Sequence, residues 1–187
     1  AEALYLETIA ISKGNLNQDP LSVVTSLNNL ALLYANQGRF SEAEKLYLEA
    51  LEITQLSLGD THLAVAKNCN SLANVYARQG QFDQAERYYL KDLAITKANL
   101  GETHLDVGAS LNNLALLYKG QGRFKEAEPL YKEALSITQT NLGDNHPAIA
   151  KNLNNLANVY SGQRRFSEAE PLYQKALYIT QRNLGED

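Results

Sequence analysis

The chain has 187 residues, enough for a domain with a sizeable core, and its 44% hydrophobic and 20% charged residues make a globular balance. Its net charge of −4, from 21 acids and 17 bases, argues against nucleic-acid binding, which needs a basic surface to neutralise phosphates. The lone cysteine, Cys69, excludes an internal disulfide, no apolar run reaches the roughly 18 residues of a transmembrane helix, and the opening Ala-Glu-Ala-Leu-Tyr lacks the form of a signal peptide.

These readings point to a cytoplasmic chain with no membrane or nucleic-acid partner. With no initiator Met, the chain is expected to be a fragment of a longer one.

A period of 42 residues organises the chain. Leu30, Leu72, Leu114 and Leu156 keep it, as do Tyr34, Tyr76, Tyr118 and Tyr160. Phe40, Phe82, Phe124 and Phe166 follow the same interval, with Ala43, Ala85, Ala127 and Ala169, and Tyr47, Tyr89, Tyr131 and Tyr173. In chain order, residues 1–16 align with a second helix of a preceding repeat, Tyr5 matching Tyr47. Four full repeats follow at 17–58, 59–100, 101–142 and 143–184, giving a single array over 1–187.

Each repeat reads as two helices. In the first repeat one helix runs from about Leu21 to Gln37, with Val23, Leu27, Leu30, Ala31 and Tyr34 at helical spacing, and stops near Gly38. The other runs from about Phe40 to Leu58, buries Ala43, Leu46, Tyr47, Ala50, Leu51 and Ile53, and ends at Gly59. Pro147 suits the start of the fourth repeat's first helix. Pro129 and Pro171 fall near the start of second helices, where a missing N–H costs least, and are expected to tilt the first turn. One hairpin leaves an apolar face open, so hairpins must stack. The expected fold is all-α, a right-handed α-solenoid of stacked helical hairpins with no sequence-distinct cap at either end.

Longer periodicity lies on top. Ser26–Tyr34 and Ser110–Tyr118 are identical, whereas repeats two and four carry Leu-Ala-Asn-Val-Tyr at Leu72–Tyr76 and Leu156–Tyr160. The array reads as a duplicated pair of 84 residues.

Leu27, Leu30, Ala31, Tyr34, Gly38, Phe40, Ala43, Tyr47 and Ala50 fall on signature positions of the tetratricopeptide repeat, which this pattern resembles. The Leu-Asn-Asn-Leu-Ala, Gln-Gly-Arg-Phe, Glu-Ala-Glu-Pro-Leu-Tyr and Leu-Gly-Asp-x-His-Pro segments are similar to those of kinesin light chains and related bacterial arrays. The resemblance implies a protein-binding scaffold, first helices lining a concave groove, and Asn side chains clamping the backbone of an extended peptide.

Little else suggests chemistry. His62, His104 and His146 lie one repeat apart, about 10 Å when hairpins stack, too far to share a zinc ion. They read as residues at the mouths of first helices. Cys69 stands where other repeats carry Leu27, Leu111 and Leu153, so it reads as core. There is no phosphate loop, paired-carboxylate motif or nucleophile elbow, so neither an enzyme nor a cofactor is expected. Glu42, Glu44 and Glu49 read as an exposed face with Lys45.

The asparagines invite a role. Asn28, Asn70, Asn112 and Asn154 recur inside first helices, opposite the apolar stripe, although Asn is a mediocre helix former. Bonds between adjacent repeats would explain them; so would a groove that reads peptide backbone. On the same face Leu32 and Leu116 alternate with Asn74 and Asn158, and its charges are all basic: Lys67, Arg78, Lys119 and Lys151. The four first helices hold one acid, Asp106. Such a face attracts an acidic segment and rejects a basic one. The expected ligand is a short acidic, partly apolar peptide or partner segment. The alternative is a structural array that self-associates through its uncapped ends and takes no peptide.

Overall fold

The computed structural model of the protein describes residues 2–14 and 20–185. The expected reach of the first helix through 15–16, the start of the first full repeat at 17–19, and residues 186–187 lie outside the described residues. Within them the chain forms helices and no strand. These are α1 (Glu2–Gly14), α2 (Pro20–Asn36), α3 (Phe40–Leu58), α4 (Leu63–Arg78), α5 (Phe82–Leu100), α6 (Leu105–Gly120), α7 (Phe124–Leu142), α8 (Pro147–Gly162) and α9 (Phe166–Leu184).

Two compact units contain them, residues 1–99 and 100–187. In the first, α1 packs on α2, α2 on α3 and α3 on α4. Tyr76 of α4 stacks on Tyr88 of α5 with ring centroids 5.6 Å apart. In the second, α6, α7, α8 and α9 pack in succession.

The repeated residues make the core. Val23, Leu27, Leu30, Ala31 and Tyr34 of α2 are buried with Ala43, Tyr47, Ala50 and Leu51 of α3. The alanines let two helices approach, and the tyrosines fill the space around them. Burying each leucine contributes about 1.5–3 kcal/mol. Cys69 is fully buried in the α4 stripe, and burial pushes its thiol up to about 11, which leaves it unreactive.

Turn chemistry sets the helix ends. After α2 the Arg39 N–H bonds the Tyr34 carbonyl at 2.9 Å while Gly38 takes φ 79°. This left-handed closure returns after α4 and α6 at Gly80 and Gly122. After α8 the same position is Arg164, at φ 63°. Each loop before α4, α6 and α8 ends in a histidine that caps the helix. The Nδ1 atoms of His62, His104 and His146 accept the N–H of Ala64, Asp106 and Ala148 at 3.1–3.2 Å. Pro20 and Pro147 open α2 and α8. Pro129 and Pro171 sit at the sixth residue of α7 and α9, beyond the first turn, and both helices run unbroken through them.

The acids of second helices are not simply a solvated face. Glu44 is half-buried and accepts the Tyr76 hydroxyl at 3.1 Å and the Gln79 amide at 3.3 Å. Glu2 likewise accepts the Tyr34 hydroxyl at 2.8 Å and Arg39 at 3.2 Å. Glu128 accepts Arg165 at 2.6 Å and Gln163 at 3.3 Å. In each case a carboxylate on one second helix holds the end of the following hairpin's first helix. Arg39 and Arg165 also lie over the rings of Tyr34 and Tyr160, at 3.8 and 4.2 Å. Glu42, by contrast, is exposed and pairs with Arg39 at 2.6 Å.

Candidate functional site

The helix faces opposite the apolar stripes divide between the two units. In the first unit Asn28 and Leu32 stand on α2, and Lys67, Asn70, Asn74 and Arg78 on α4. Leu32 is 52% exposed, and Lys67 is exposed. Arg78 is exposed too, but its guanidinium lies 4.8 Å from the Phe40 ring centroid, at the seam between hairpins. In the second unit Asn112, Leu116 and Lys119 stand on α6, and Lys151, Asn154 and Asn158 on α8. Leu116 is 53% exposed; Lys151, Asn154 and Asn158 are exposed, and Lys119 is half-buried.

The asparagines have internal work. Asn28 donates to the side-chain oxygen of Asn68 at 3.0 Å. Asn68, 2% exposed, donates to the Thr54 hydroxyl at 2.9 Å, which donates to the Ala50 carbonyl at 2.6 Å. The second unit repeats this chain 84 residues on. Asn112 donates to Asn152 at 3.1 Å, Asn152 to Thr138 at 2.8 Å, and Thr138 to the Ala134 carbonyl at 2.7 Å. Each chain threads three helices, so these asparagines bond adjacent repeats. Oδ1 of Asn28 and of Asn112 are left buried without a protein partner.

Asn74 and Asn158 are also engaged. Asn74 accepts the Tyr89 hydroxyl at 2.8 Å and donates to the Asn70 carbonyl at 2.8 Å. Asn158 accepts the Tyr173 hydroxyl at 2.7 Å. Burial raises the Tyr89 hydroxyl to about 12, so it stays a neutral donor. Where Leu116 replaces the asparagine, the buried Tyr131 hydroxyl has no partner.

A cleft of about 320 Å³ opens in the second unit against α6, α7 and α8. Its lining includes Gly108, Ala109, Asn112, Leu142, Lys151 and Asn152. Gly108 lets α6 lie close on α7, since a Cβ there would meet Ile137 at 3.4 Å. Two predicted site residues, Asn112 and Lys151, thus meet in one cavity, beside apolar wall. Sequence reasoning passed over Asn68, Asn152, Thr54 and Thr138. Their signal was an Asn inside the buried stripes Val65–Cys69–Leu72 and Ile149–Leu153–Leu156, at the 84-residue spacing.

Among the described residues no group of three or more His, Cys, Asp or Glu side chains could hold a metal ion, and no helix is long and apolar enough to cross a membrane.

A family model for the tetratricopeptide repeat matches residues 22–91, 64–140 and 107–182. No curated protein matches the sequence. Among solved structures the chain is similar to BtubC (BKLC) from P. vanneervenii, with 30% identity and a TM-score of 0.90 over 99% of this chain and 74% of that one. It is similar to a Podosopora anserina putative kinesin light chain with nearly identical repeats, at 25% identity and a TM-score of 0.85 over 98% and 86% of the two chains. RapI, at 18% identity and a TM-score of 0.79 over 95% and 64%, shares the fold. Such repeats act as protein-interaction scaffolds and are generally not enzymes. The chain belongs to the tetratricopeptide repeat family, in the kinesin-light-chain-like form of its stacked hairpins.

Proposed function

We propose that the first-helix faces bind a short acidic, partly apolar segment of a partner protein. The observation that carries this reading is the cleft against α6, α7 and α8, where the Asn112 and Lys151 side chains meet beside Ala109 and Leu142. The ammonium calls for a carboxylate, and the apolar wall for a side chain of moderate size. An extended peptide with an acid near an apolar residue offers both. Lys67 and Arg78 in the first unit, and Lys119 in the second, add the same sign of charge, which favours encounter with an acidic segment.

A fluorescently labelled peptide with a leucine between glutamates tests this, titrated against wild type, Lys151→Glu and Asn112→Ala at low and high salt. Lys151→Glu should weaken binding most at low salt. Asn112→Ala should weaken it at both. Equal affinity for a basic peptide of the same length would sink the reading.

A further inference from the structure

The outer faces of second helices, away from the first-helix faces, differ between repeats. On α3 a ridge of residues four apart runs Leu48, Glu52, Leu56, and on α5 the same register runs Leu90, Ala94, Ala98. All six are exposed, Leu48 by 37%, Leu90 by 46% and Leu56 by 82%. On α7 these positions carry Lys132, Ser136 and Thr140, also exposed. A second helix of this family of hairpins therefore folds with a polar row here, and stacking does not call for the leucines of α3 and α5. An apolar row in mid-chain that the fold does not require marks a contact surface.

The charges beside these rows select the occupant. Along α3, Lys45, Glu49 and Glu52 read positive, negative, negative; along α5, Asp83, Arg87 and Lys91 read negative, positive, positive. Sizes are complementary as well, since the α3 row ends on Leu56 where α5 offers Ala94 and Ala98. Setting α3 back to back on another α3 would centre Glu52 on its own copy, and α5 on α5 would do the same with its bases. Setting α3 on α5 opposes unlike charges along the whole row.

We propose that this face pairs with the same face of a second copy, α3 of each lying along α5 of the other in the same direction, staggered by about one turn. Leu56 of one copy packs on Ala94 and Ala98 of the other, and Glu52 meets Lys91. A two-fold axis between the helices repeats the contact, so both ridges are covered at once and association closes at a dimer. The first-helix faces stay open to the peptide proposed above.

Sedimentation of the 187-residue chain from micromolar to millimolar concentration tests this. The mean mass should climb with concentration and level off at that of a dimer. Leu56→Ser should weaken association roughly tenfold or more and leave the helical circular dichroism intact, because Leu56 lies outside the core. Glu52→Lys and Lys91→Glu should each weaken it roughly tenfold, since like charges then meet twice in every dimer. An equimolar mixture of those two variants should recover wild-type association to within a few-fold, because each supplies the charge that the other lacks. That recovery arises only from contacts between copies. A monomer at every concentration would overturn the proposal, including the case where this face serves a different protein. So would a mass that passes the dimer, full association by Leu56→Ser, or a mixture that associates no better than its two components.

Discussion

The Asn112 side chain donates to the Asn152 oxygen across 3.1 Å, and this one bond joins first helices of successive repeats. Asn152 passes the chain on to Thr138 and so to the backbone of α7. Asn152→Ala should cost about 1–3 kcal/mol, because it strands a buried donor on Asn112. Asn152→Ser, the residue that Ser26 and Ser110 supply at this position, should recover part of the loss. Chemical denaturation of Asn112→Ala, Asn152→Ala and the double variant checks it. Fully additive losses would mean the two amides do not communicate.

The tyrosines of the second helices should divide by partner. Tyr131→Phe removes a buried hydroxyl that no protein group satisfies, so it should stabilise by about 1 kcal/mol. Tyr89→Phe breaks the bond to Asn74 and should destabilise by about 1 kcal/mol. Leu116→Asn should restore to Tyr131 the partner that Tyr89 has. Thermal midpoints measure all three, and a loss on Tyr131→Phe would contradict the assignment.

Arg164 stands at φ 63° where the other hairpins carry glycine. A side chain in the left-handed region costs roughly 1–2 kcal/mol. Arg164→Gly should therefore raise stability by about 1 kcal/mol, and Gly122→Arg should lower it by a similar amount. Urea midpoints that move the other way would refute the strain.

Acid should loosen the seam held by Glu128. Burial pushes that carboxyl up, but bonds from Lys132, Arg165 and Gln163 outweigh burial and leave it below the ordinary glutamate value. A depressed folded-state value contributes stability above the unfolded value, and that contribution is lost as pH falls through the folded one. Glu2, Glu42, Glu126 and Glu168 are lowered as well, through bonds from Tyr34 and Arg39, then Arg39, Arg123 and Arg165 in turn. Glu128→Gln should lower the thermal midpoint at neutral pH and make its fall in acid shallower. An unchanged acid slope would assign the loss to other groups.

From the sequence alone, the helices and their core faces were determined. A 42-residue recurrence of Leu30, Ala31, Tyr34 and Tyr47 admits one way of burying apolar residues at helical spacing, and glycine at Gly38 and Gly59 ends each helix without side-chain strain. That information is local, so one chain suffices to read it. The use of the asparagines was decided by tertiary packing. Asn28 and Asn68 are 40 residues apart, and only stacking of two hairpins brings the amides to 3.0 Å. The pattern marked Asn28 as a repeated polar position but could not say which of its atoms was already spent. The acids illustrate the same limit. Glu42 and Glu44 are equally charged and two residues apart, yet one is exposed and the other is half-buried against Tyr76. A helix turns about 100° per residue, so two positions part their side chains widely, and only the neighbour that arrives on one side makes them different.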